Sequence, residues 1–151
     1  MKRFALALLL PLVATAACRT SAGRYSGPKA SASTGAPAPR AAVDGFLAAV
    51  KSQDLQAMSG FWGSERGPAR EALARDVLEK RELIMQCYLS HDRYTILNEM
   101  SGDKGRRVLR VALSKGAITK ETNFTAVQGP AERWYVEEVD LSSTAELCNR
   151  R

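Results

Sequence analysis

The feature that most restricts the fold is a change of hydrophobic period part-way along the chain. Val43, Phe46, Leu47 and Val50 recur at i, i+3, i+4 and i+7, the stripe of an amphipathic helix from about Ala41 to Lys51. Gly45 weakens that helix unless a close packing partner requires it. Ser52-Gln53-Asp54 interrupts the pattern, and Asp54 is suited to cap a second short helix carrying Leu55, Met58, Phe61 and Trp62. Pro68 opens a third. Its inward stripe is Ala69, Leu73 and Val77, with Glu71/Arg75 and Asp76/Lys80 as i,i+4 pairs on the solvated side. From Leu83 the period shortens. Leu83 to Ser90 predicts a short strand, although Leu83 to Met85 also suits a prolonged helix. Tyr94 to Leu97 begins another strand, closed by Ser101-Gly102-Asp103-Lys104-Gly105. Leu109, Val111 and Leu113 then alternate with Val108, Arg110 and Ala112, and Ser114-Lys115-Gly116 signals a tight hairpin. Ile118 to Val127 returns with Thr122, Phe124 and Ala126 on one face, and Gln128-Gly129-Pro130 leads into a last strand, Arg133 to Leu141. Helices first and hairpin-linked strands after predict an α+β domain over Ala41 to Arg151, its helices packed on one face of a curved antiparallel sheet.

The other strong pattern is at the start. Lys2 and Arg3 precede an apolar run, Phe4 to Val13, and Ala14-Thr15-Ala16-Ala17 supplies small residues before Cys18. This is the order of a secretory signal peptide, with an apolar run too short to span a bilayer. A plain reading cleaves at Ala14-Thr15-Ala16 and leaves Cys18 incidental. With Cys18 behind small residues, the segment also resembles the lipobox of bacterial lipoproteins, with residues 1–17 as signal peptide. The family favours Leu where Thr15 stands. The resemblance implies acylation of Cys18 and an anchor in the cell envelope. Arg19 in place of Asp leans towards the outer membrane, facing the periplasm, over the inner membrane.

Charge has to be located before it is interpreted. The chain carries 22 basic and 16 acidic residues, a net of +6. Six of the basic residues precede Ala41 and no acidic residue does, so from Ala41 onwards the chain is neutral. Nucleic-acid binding needs basic residues gathered on a folded face, and this distribution argues against it. Arg19 to Arg40 is rich in Ala, Ser, Gly, Pro and Thr. Such a composition buries too little apolar surface to offset ordering, so residues 18–40 read as a lipidated cysteine and a disordered tether. A coil of that length spans about 25 Å on average.

With Cys18 set aside as acylated, Cys87 and Cys148 remain, an even pair in an oxidising compartment. They predict a disulfide joining the tail beyond the last strand to the first strand; two buried thiols are the alternative. No C-x-x-C occurs and His91 is the single histidine, so neither a metal nor another cofactor is expected.

The helix AAVDGFLAAVKSQDLQAMSGFW with its polar break, the helices after it and the closing strand RWYVEEVDL together resemble the nuclear transport factor 2-like superfamily, in particular its small bacterial envelope lipoproteins. The likeness runs from Ala41 to about Leu141 and rests on residue classes. It implies a cone-shaped fold in which helices wrap a bent sheet around a pocket, with Phe46, Trp62, Tyr94 and Trp134 as possible pocket residues. Members include enzymes of the ketosteroid isomerase and polyketide cyclase type, many binding or assembly modules, and dimers formed through the open face of the sheet. An isomerase site needs a carboxylate base in an apolar pocket with neutral donors to an enolate. His91 and Asp92 are neighbours, so on a strand they face opposite ways, and their position reads better as a turn. Arg107, Arg110 and Glu121 read as cross-strand charge partners, and Trp62 and Trp134 as core or pocket wall. No phosphate loop, nucleophile elbow or zinc pair is present, so no catalytic residue is assigned. The expected role is a non-catalytic module that binds an envelope protein or a small apolar ligand. The alternative is a pocket enzyme acting on a small apolar substrate.

Overall fold

The computed structural model describes residues 34–149, and the leader with Cys18 lies outside them. The chain runs through α1 (Pro39–Ser52), α2 (Leu55–Phe61), the short strands β1 (Gly63–Ser64) and β2 (Gly67–Pro68), α3 (Ala69–Ala72) and α4 (Arg75–Tyr88). Four strands follow: β3 (Arg93–Ser101), β4 (Arg107–Lys115), β5 (Ile118–Gln128) and β6 (Trp134–Val139). A 3-10 segment, Ser142–Cys148, ends the fold. β3 to β6 pair antiparallel in sequence order, so each connection is a simple reversal. The class is α+β, with the helices ahead of one curved four-stranded sheet.

The inward stripes meet as their spacing requires. Val43, Phe46, Leu47 and Val50 of α1 are buried against Leu109, Val111 and Leu113 of β4 and Phe124 and Ala126 of β5. Phe46 and Phe124 meet edge to face, with ring centroids 6.4 Å apart. Gln53 takes a left-handed conformation that ends α1, and the Asp54 carboxylate accepts from the Ala57 amide at 2.9 Å to start α2. Register shifts between Ile96 and Asn98, and between Thr125 and Ala126, bend the strands around the helices. Gly116, at φ 56°, forms the two-residue β4–β5 turn with Ala117.

Three expectations are corrected. The fold begins before Ala41: Ala36 exchanges backbone hydrogen bonds with Trp134, and the Arg133 guanidinium donates to the carbonyls of Thr34 and Gly35. The expected third helix is two helices. Leu73 and Ala74 are extended, because Ala69/Leu73 and Leu78/Met85 belong to different faces. Five residues from Leu73 to Leu78 fall about 140° out of step on one helix, and the break resets the phase. Val77 consequently faces solvent, and Arg75 pairs with Glu79 at 2.9 Å rather than with Glu71. Leu83 to Tyr88 is helix and not strand, since Leu78, Met85 and the following Leu89 form the inward stripe. The apolar run that suggested a strand includes Leu83 and Ile84, each 53% exposed.

Cys87 and Cys148 are disulfide-bonded, with Cα atoms 4.6 Å apart. Because Cys87 is on α4, the bond ties the tail to a helix and not to the first strand. Lys115 Nζ donates to the Leu147 carbonyl at 2.6 Å, Lys120 pairs with Glu146, and the Leu147 side chain is fully buried.

Candidate functional site

Where the two-stranded β1–β2 ribbon crosses between α2 and α3, the chain is forced into close approach. A Cβ on Gly63 would stand 2.4 Å from the Gly67 carbonyl oxygen, so only glycine permits the ribbon to close. The tight ribbon and the Leu73–Ala74 break leave a cleft of about 200 Å³ between α3, α4 and the sheet edge. Trp62, Ala69, Ala72 and Leu73 give it apolar walls, and Arg66, Arg81 and Glu137 supply charge. Arg106 holds Glu137 through two contacts, Nε to Oε2 at 2.5 Å and Nη2 to Oε1 at 2.8 Å, and reaches Glu65 at 3.1 Å. The Glu137 carboxylate is thus already committed. Arg66 and Arg81 are exposed, and neither has a carboxylate partner among the described residues.

A second feature sits on the inward face of α4. Glu82 lies between Leu78 and Met85 on that stripe, is only 1% exposed, and its Oε1 has no hydrogen-bond partner among the described residues. Burial, aided by the nearby Glu79 charge, pushes its carboxyl up to about 7.

A third cluster joins the end of α4 to β3. The His91 ring is 6% exposed and edge-on to Tyr94 at 5.5 Å. Its Nδ1 donates to the Leu89 carbonyl at 2.8 Å, which leaves Nε2 as the bare nitrogen of a neutral ring, buried and without a partner among the described residues. Burial holds the imidazole below its ordinary value. Tyr94 Oη donates to Asp44 at 2.8 Å; burial first, then that bond, push the phenol up to about 12. Asp92 turns away and accepts from the Gly116 amide at 2.7 Å, so His91 and Asp92 form no dyad.

No protein-family model, no curated protein and no solved structure matches this chain. The cleft's chemistry therefore stands on its own residues.

The four possible pocket residues are not brought together at this cleft. Trp62 lines it; Phe46 is fully buried in the core, Tyr94 is tied to Asp44, and Trp134 pairs with Ala36. Among the described residues no group of three His, Cys, Asp or Glu could hold a metal ion, and no helix is long and apolar enough to cross a membrane. Sequence reasoning missed Arg66, Arg81, Glu82 and Glu137. Only Glu82 left a signal, its spacing four residues after Leu78 and three before Met85, visible once α4 is carried to Tyr88.

Proposed function

We propose that this chain is a lipid-anchored binding module of the bacterial cell envelope, held by Cys18 at the outer membrane and facing the periplasm. Its globular part is a nuclear transport factor 2-like domain that takes a small, largely apolar ligand beside Trp62. The observation that carries the binding role is the cleft itself: apolar walls, a tryptophan and a few charged groups in one concavity, the usual composition of a ligand site. The leader pattern and the disulfide, which suits an oxidising compartment, support the location. Two experiments test the reading. Cells fed a palmitate analogue should label the full chain and not its Cys18→Ser variant. Titration of the full chain with one-ring compounds should perturb the Trp62 indole, and saturation at no tested concentration would remove the binding role.

A second reading is a pocket enzyme of the ketosteroid isomerase type, and Glu82 is the observation that favours it. A carboxyl poised near neutrality is what a general base requires. Glu82 does not line the cleft, although its neighbour Arg81 does. Turnover of an enolisable substrate, abolished by Glu82→Gln, would establish this reading in place of the first.

A further inference from the structure

We infer that the ligand of the cleft is a planar organic anion, a single ring bearing a carboxylate, recognised by Arg81 and Arg66 against the Trp62 wall. The inference rests on the binding role proposed above and names its chemistry. Size comes first. A dry cavity of about 150 Å³ takes a benzene molecule, so the 200 Å³ here admits one ring and a small substituent.

Charge is decided by what is already paired. Glu137 is neutralised by the two-point contact from Arg106, which also reaches Glu65. Arg66 and Arg81 have no such partner among the described residues, although the chain from Ala41 onwards is neutral and carboxylates are plentiful in it. Both arginines line one small cleft, and neither has a carboxylate partner among the described residues, so an anion seated there would gain a charge partner from each. A guanidinium presents its N–H donors in a plane that matches the two oxygens of a carboxylate. The apolar walls from Ala69, Ala72, Leu73 and Trp62 take the ring, and a tryptophan face suits a flat one.

The test uses phenylacetate and its neutral isostere phenylacetamide, titrated into the full chain with the disulfide formed, and read at the Trp62 indole N–H by NMR. A Trp62→Phe variant assigns the signal. The expected result is saturable binding of phenylacetate at least about tenfold tighter than phenylacetamide, the ratio of a charge-assisted hydrogen bond. Arg81→Gln and Arg66→Gln, both exposed positions that leave the core untouched, should bring phenylacetate down towards the amide. Equal binding of the two compounds would overturn the anion and leave the binding role standing. Binding of neither would remove both. A preference for phenylacetate that survives loss of both arginines would also overturn the assignment, because the charge would then be read elsewhere.

Discussion

Glu82 and His91 are both buried, and each has one polar atom without a partner among the described residues, yet they push stability in opposite directions with pH. The Glu82 carboxyl keeps its proton to about pH 7 in the fold and to about 4.5 when unfolded. Its contribution is therefore whole below pH 4.5 and lost as pH rises through 7. His91 is held neutral by burial, so its contribution is present above pH 6.5 and lost as pH falls. Comparing the native chain with Glu82→Gln cancels the histidine. The native chain should lose about 2 kcal/mol relative to the variant between pH 4.5 and 8: the rise from 4.5 to about 7 is about 3 kcal/mol at about 1.4 kcal/mol per pH unit, and solvent screening reduces it. Urea unfolding at a series of pH values measures it, and parallel curves for the two proteins would show that the carboxyl ionises freely.

At the level of elements, the contact between α1 and α2 depends on a missing side chain. A Cβ on Gly45 would stand 2.5 Å from the Phe61 ring, so the two helices approach through that glycine. Gly45→Ala gains about 1 kcal/mol of helix propensity and meets an overpacking cost of about 1–3 kcal/mol, a net loss. Adding Phe61→Leu should recover part of it, because the obstruction is the ring. Thermal unfolding of the two single variants and the double variant gives the coupling, and strict additivity would place the cost elsewhere than at the ring. The surface ion pairs Arg75–Glu79 and Arg110–Glu121 are worth little by comparison.

Across the whole molecule, the disulfide joins positions 61 residues apart and fastens the last turn to α4. A cross-link over that length restricts the unfolded chain by about 4 kcal/mol in the entropic account. Reduction, or Cys148→Ser, should lower the unfolding free energy by about 2–4 kcal/mol, with Leu147 and the Lys120–Glu146 pair keeping the tail docked in the native state. Denaturant midpoints with and without reductant read the effect, and unchanged midpoints would mean that the cross-link adds nothing to stability.

Local pattern was enough for much of this architecture. The stripe of α1, the Asp54 cap, the β4–β5 hairpin and the inward Thr122, Phe124 and Ala126 each depend on neighbours within one or two turns of chain. The Cys87–Cys148 pairing was expected from an even count in the compartment that the leader pattern implies, and the two cysteines are bonded. Other features arise from contacts far apart in sequence, and local pattern cannot carry those. Gly35 looks like a linker residue, yet at φ 63° it sits where a Cβ would meet the Trp134 carbonyl at 2.8 Å. The phase break before α4 becomes visible only when two helical faces must reach one core, and that same break turned Glu82 inward. The cleft was decided wholly by tertiary structure, because Trp62, Arg66, Arg81 and Glu137 come from separate stretches of chain that only the packing of the helices beside the sheet brings together.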